Sequence, residues 1–508
     1  MKVSHKKMIK PSNHILPKAK WIKPLQLTIT IVFTILLLLA CSKKSTPPPP
    51  SLPQWTILGY FDGNNNQDKK IVNGDTLSYV IKDVQEMEQV GSTKDVQVIV
   101  MLGSFKTNGN CNYYFIEKCL DDTISDSISS KVLEDSLEQN DMSDPQTLRD
   151  FVKYGVEHYP AQHYILIIDD DGLGWKGVCS DTINGDGKWM SLSEVSSALL
   201  GYRFEIIVCN AHSMSMVEVA YQLKEEANFL VASEYYSYSY PRNILGLSAW
   251  LQDLTNNPNL SGKSIARSIA TAIYNASKSD RSSVSAIDLS KVDALTSKIA
   301  DLGSLLITHT GTHWKEVVDA RQIAVPLFTE HFDLKRFSQN IQDSTDLDST
   351  IKNAAQEVVN ANDAAVIKME SNQPELGYGG LCIHFPKEPA EFDSARYVEL
   401  DFAISNWHVF LSRFIQAYAE ANTGSLRIVS VPVKGAWIFL DGDSTGLVTD
   451  TTIHGIPAGR HKVKVVKAGW HMLMDEPEPA RVYPGSTTEV IIPLLQGSPP
   501  KESISELQ

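Results

Sequence analysis

Short apolar runs bounded by polar turns recur from Trp55 to about Tyr418, and helical spacing fills many of the gaps between them. The runs Thr56–Phe61, Val96–Leu102, Tyr113–Glu117, Tyr164–Ile168, Phe204–Cys209 and Phe229–Ala232 predict strands. Between several of them, Leu77–Val90, Gln146–Glu157, Leu192–Leu200 and Met216–Glu226 carry apolar residues at helical spacing. Asp144-Pro145 adds a cap and a first-turn proline to the second of these helices. Further helices are expected at Gly262–Ala276, Val292–Leu306 and Ile404–Tyr418, with a short strand at Leu381–Phe385. Apolar strands alternating with helices imply an α/β fold with a mostly parallel sheet covered on both faces. After Gly424 the pattern shortens to alternating strands at Leu426–Val429, Trp437–Leu440, His461–Val466 and Thr488–Ile492, punctuated by glycines. A small all-β domain is expected there, over residues 424–495, with a polar tail at 496–508.

The amino-terminal forty residues obey a different rule. They hold seven lysines, no acidic residue, and an uncharged apolar run from Leu25 to Ala40. A basic start, apolar middle and small-residue exit predict a secretory signal over residues 1–40. Its end, Leu38-Leu39-Ala40-Cys41, resembles a bacterial lipobox, which implies cleavage before Cys41 and a lipid on that residue. Ser42 in the next position favours the outer membrane under the sorting rule of enteric bacteria. Residues 41–54 contain Pro47 to Pro50 and read as a stiff, extended spacer between the lipid and the first domain, residues 55–420.

Charge and cysteine count narrow the function. The whole chain has 46 basic and 60 acidic residues; without the seven leader lysines its net charge falls from −14 to −21. Such a surface repels phosphate backbones, so nucleic acid is not the expected partner. Five cysteines follow Cys41, an odd number without regular spacing, so no disulfide framework is expected.

The stretch most suggestive of chemistry is Phe204–Leu223, an apolar strand that turns through Asn210-Ala211-His212-Ser213 into a helix carrying Glu218-Val219-Ala220-Tyr221. Open α/β sheets place their sites at such strand ends. This stretch resembles the clostripain family of caspase-like cysteine peptidases. So do Trp55–Tyr60 with Asp62–Asn66, Glu86-Met87-Glu88 with Gly91-Ser92, Asp144–Leu148, Tyr159-Pro160 with Tyr164, and Gly379–Pro386. The resemblance implies a three-layer α/β/α sandwich, a Cys–His dyad, a peptide ligand cleaved after a basic residue, and the option of calcium. The family's Asp-Ala-Cys, however, is Asn210-Ala211-His212 here, and its Asp-His-Gly-x-Gly-Trp is Asp170-Asp171-Gly172-Leu173-Gly174-Trp175. His212 therefore stands in the nucleophile's place and Asp171 in the general base's place. Asn210 replaces one acidic group of the specificity pocket.

Rebuilt chemistry has several candidates. Cys209 belongs to a buried strand and reads as core. Cys179 lies in a polar loop that could approach the cleft, though nothing in the sequence marks it as a thiolate. Ser213, His212 and Asp171 are the residue types of a hydrolase triad, but adjacent side chains rarely face one substrate atom. Asp169, Asp170, Asp171 and His212 could gather round a divalent cation, although a run of like charges is commonly a solvated loop. Asp181 to Gly187 resembles a calcium loop, but Glu194 misses the closing position by one residue and the segment reads as a turn. Across the cleft, Asp171 is expected to pair with His212 and raise its pKa.

The C-terminal strings Ser430–Ala436, Leu440-Asp441-Gly442, Ile456–His461 and Lys467–Trp470 look like a PEGA domain, a non-catalytic module of envelope proteins. The expectation is a lipid-anchored envelope protein of the clostripain type, catalytically inactive, that binds a peptide or protein. The alternatives are a divergent cysteine-type or metal-assisted hydrolase, and a structural envelope protein working through its PEGA domain.

Overall fold

The computed structural model describes residues 52–497 apart from 66–67, 73–74, 120–126, 135–139, 236–245, 277–282, 311–312, 325–329 and 473–479. The expected signal, Cys41 and the C-terminal tail beyond residue 497 lie outside the described residues. Among those described, no helix is long and apolar enough to cross a membrane.

The first strand, β1 (Trp55–Gly63), is buried along its whole length and lies in the middle of a nine-stranded sheet. It is followed by a hairpin, β2 (Lys69–Val72) and β3 (Asp75–Ser78), then by β4 (Val96–Ser104), β5 (Asn112–Phe115) and β6 (Lys131–Glu134). Next come β7 (His163–Asp169), β8 (Phe204–Asn210), β9 (Ala227–Ala232) and β10 (Ser283–Asp288). A short β11 (His331–Asp333), β12 (Val366–Ser371) and β13 (Cys382–His384) complete the domain. The large sheet runs β12-β10-β9-β8-β7-β1-β4-β5-β6. Its centre, β9 to β4, is parallel, and each edge carries two antiparallel strands.

Alternation along the central strands divides the core in two. Leu58, Tyr60, Ile99 and Met101 face one layer with the helices Pro145–His158, Leu192–Leu199 and Val292–His309. Ile57, Phe61, Val98 and Val100 face the other, with Tyr79–Glu88, Leu247–Asn256 and Gly262–Ala276. This is the three-layer sandwich expected of the caspase-like fold, because apolar residues on both faces of a parallel sheet must both be covered.

Several boundaries move. The helix expected from Leu77 begins at Tyr79, because Leu77 and Ser78 belong to β3 and the Ser78 side chain accepts from Ile81 N as the cap. The one expected at Met216–Glu226 is only Val217–Gln222, since Glu226 O must accept from Phe204 N at the entrance to β8. The strands β10 and β12 were not expected, and neither was the 17-residue helix Ser349–Ala365.

The C-terminal part is all-β. It comprises β14 (Thr423–Val431), β15 (Trp437–Leu440), β16 (Asp443–Val448), β17 (Thr451–Pro457), β18 (Gly459–His461), β19 (Val463–Val466), β20 (Trp470–Met472), β21 (Ala480–Val482) and β22 (Thr487–Gln496). Its own core contains Leu426, Ile428, Ile438, Val463, Val465, Ile492 and Leu494. The single strand expected at His461–Val466 is split: β18 pairs with β21, whereas β19 pairs with β15. Asp441 marks the break, accepting from Lys462 N at 2.8 Å and lying 2.7 Å from the His461 ring.

Candidate functional site

The two positions that the resemblance assigns to a dyad lie just beyond the ends of adjacent parallel strands. Asp169 and Asn210 are cross-strand partners closing β7 and β8, and Asp171 and His212 follow two residues later on each chain. The loops touch closely. A Cβ on Gly172 would lie 2.5 Å from His212 O, so only glycine lets the backbones approach this far. Asp171 Oδ1 stands 3.7 Å from His212 Nε2, too long for a hydrogen bond, and accepts instead from Gly172 N at 2.9 Å.

The charge-assisted pair expected from the sequence is therefore corrected. His212 is only 6 % exposed, and burial draws its pKa below the ordinary value; the Asp171 charge offsets this only in part. His212 does not sit in an open cleft. In a buried setting the desolvation of imidazolium outweighs one carboxylate that does not hydrogen-bond to it.

Neighbouring groups are committed elsewhere. Asn210 Nδ2 donates to Asp169 Oδ1 at 2.6 Å. Asp170 accepts from Asn65 Nδ2 and Ser180 N at 2.6 and 2.7 Å. The run Asp169-Asp170-Asp171 thus spreads over different partners and does not converge on His212 as a metal set. Ser213 adopts a left-handed backbone (φ 57°), and its N–H donates to Tyr235 O; its Oγ makes no hydrogen bond among the described residues.

Neither candidate cysteine has thiolate surroundings. Cys209 is core, its thiol pushed up to about 12 by burial. Cys179 does not reach an accessible cleft. It is 1 % exposed, and burial, with Asp170 and Asp62 nearby, pushes its thiol well above the usual range. All five cysteines among the described residues are free. Cys179 instead joins Asp62 and Asp170 in a compact, largely buried group that the sequence does not reveal, since the end of β1 meets the segment after β7 only in the fold. Burial, then the Asp181 charge, raises Asp62 to about 8.

The loop resembling a calcium site is a turn. Asp181, fully buried, accepts from Ile183 N and Asn184 N, and also from Asn64 Nδ2 and Met142 N. With its oxygens spent on the protein's own donors, this loop does not accommodate the calcium that the resemblance allows. Glu218, in the helix after β8, is fully buried and accepts from His384 N at 2.9 Å and Tyr397 Oη at 2.8 Å. It ties that helix to β13. Two further pairings escaped sequence reasoning: Glu234 with Asp333, mutually buried carboxyls whose pKa values are both raised chiefly by desolvation, and His331 with His384 across β11 and β13.

Comparison with known proteins agrees with this architecture. A clostripain-family model (Peptidase C11) matches residues 71–437, and a PEGA-domain model matches residues 423–497. Among solved structures, the chain is similar to an inactive zymogen C11 protease from Parabacteroides distasonis, at 19 % identity and a TM-score of 0.52, over 70 % of this chain and 99 % of that one. A secreted C11 cysteine protease from Bacteroides thetaiotaomicron, in complex with an irreversible peptide inhibitor, gives the same identity, TM-score and coverage. At such identity these likenesses speak for the fold alone. No curated protein matches. With its family model spanning most of the chain and its sheet built as described, the protein belongs to the clostripain family and carries a PEGA domain at its C-terminal end.

Proposed function

We propose that this chain is a proteolytically inactive clostripain-family protein that binds a peptide or protein, held in a bacterial envelope, at the outer membrane, by a lipid on Cys41. The observation that carries the reading is the pair beyond β7 and β8, Asp171 and His212, where a buried imidazole, its pKa lowered by desolvation, stands 3.7 Å from a carboxylate. Neither can serve as a thiolate, and Cys179 and Cys209 are buried with raised pKa values. In a serine protease the loss of one such partner costs on the order of a millionfold in turnover. The peptide inhibitor named with the B. thetaiotaomicron neighbour supports a peptide-class ligand for the same fold. The test is cleavage of peptides after Arg or Lys by the chain purified without residues 1–40, with and without calcium, beside direct binding of uncleaved peptides. No cleavage together with saturable binding is expected. Cleavage abolished by Cys179→Ala would overturn the reading in favour of a rebuilt site.

A further inference from the structure

Two short strands outside the main sheet bring together residues that neither the fold nor the proposed binding role uses. β11 and β13 pair antiparallel, with His331 directly opposite His384 and their ring centroids 5.9 Å apart. Glu330 precedes His331, and its backbone carbonyl accepts from Phe385 N at 2.6 Å, fixing the carboxylate on the same ribbon. One donor atom from each of Glu330, His331 and His384 lies within 4.8 Å of the other two.

His384 supplies a second, independent observation. It is fully buried, and neither ring nitrogen finds a hydrogen-bond partner among the described residues. Buried imidazoles are normally satisfied, because an orphaned polar group costs about 1–3 kcal/mol. Trp175 at 5.0 Å, Tyr397 at 5.5 Å and Phe392 at 6.0 Å wall the ring in and offer it little polar compensation. A ligand with an empty orbital would satisfy it.

We propose that Glu330, His331 and His384 form a binding site for a divalent transition-metal ion of the zinc class. Two imidazoles and one carboxylate are a donor set that tetrahedral zinc accepts, with a fourth position left for water or a ligand; calcium and magnesium prefer oxygen throughout. Both rings are buried, and zinc binds the unprotonated nitrogen of an imidazole. Coordination at about 2.0–2.1 Å requires the three donors to draw together by roughly an ångström. Lys176 Nζ now sits 3.2 Å from Glu330 Oε2 and must swing away; its side chain is one-third exposed and free to do so. The site stands independently of whether the Asp171–His212 cleft binds peptide.

The experiment is titration of the chelator-stripped chain, lacking residues 1–40, with Zn²⁺ against a chromogenic chelator, and with Co²⁺ read by visible absorption. One equivalent is expected, with intense low-coordinate Co²⁺ bands. Glu330→Gln and His331→Gln should each weaken Zn²⁺ at least tenfold with the circular dichroism unchanged. Lys176→Met should tighten it by removing the competing cation, and Asp62→Asn, in the other acidic group, should leave it unaltered. Absence of uptake, an adventitious ion indifferent to Glu330→Gln and His331→Gln, or loss through Asp62→Asn would each overturn the proposal. Glu330, being partly exposed, keeps the test open if the histidine variant fails to fold.

Discussion

His212 illustrates how one buried side chain reverses an expectation about charge. Its folded pKa lies below its unfolded value, so the unfolded chain takes up the proton first as pH falls. The stability it contributes is complete above the unfolded value of about 6.5 and is lost as pH falls through the folded one. Titration by NMR should place the His212 transition below that of an exposed histidine, and Asp171→Asn should lower it further by removing the one charge that raises it. An unchanged value in the variant would show that 3.7 Å is not the working separation. Glu218 offers a second residue-scale test. Glu218→Ala strands the His384 N–H and the Tyr397 hydroxyl in a dry layer, and should cost about 3 kcal/mol in urea unfolding. Glu218→Gln, which keeps an acceptor oxygen, should cost clearly less.

At the scale of elements, the parallel centre was legible because its strands are continuous apolar runs. β1, β4, β7 and β8 begin within one residue of the expected positions. The edges were not. β12 is only half-buried throughout, and a strand with no buried face shows no period-two contrast. The helix Ser349–Ala365 is rich in Asn and Ala, and its buried stripe of Ile351, Ala355, Val358 and Asn362 is too weakly apolar to stand out. The contact between the β7 and β8 loops is an element-scale feature with a clear test. Gly172→Ala drives a Cβ into the His212 carbonyl, a backbone atom that cannot rotate away, and should destabilise the fold by about 2 kcal/mol. A thermal midpoint equal to that of the parent chain would show that the two loops can separate without cost.

For the molecule as a whole, buried carboxyls set the pH response. Burial is the main cause that lifts Asp68 to about 6, Glu86 to about 7 and Asp62 to about 8. A raised carboxyl pKa gives stability that is fully present below the unfolded value, near 4, and is lost as pH rises through the folded value. Urea unfolding should therefore show stability falling between about pH 4 and 8, by at most ~1.4 kcal/mol per group per pH unit, with Asp62→Asn flattening the upper part. Stability that rises over this range would mean that these groups ionise freely in the fold. The sequence by itself determined the layer architecture, the family, the all-β C-terminal part and the residue types at the two strand ends. Those follow from local apolar periodicity and from motifs a few residues long. Only the tertiary structure decided that burial lowers the His212 pKa, that Cys179 is enclosed among carboxylates, and that His331 meets His384 beside Glu330. Each of these depends on desolvation or on contact between segments distant in the chain, and burial is a property of the packed whole that no local pattern encodes.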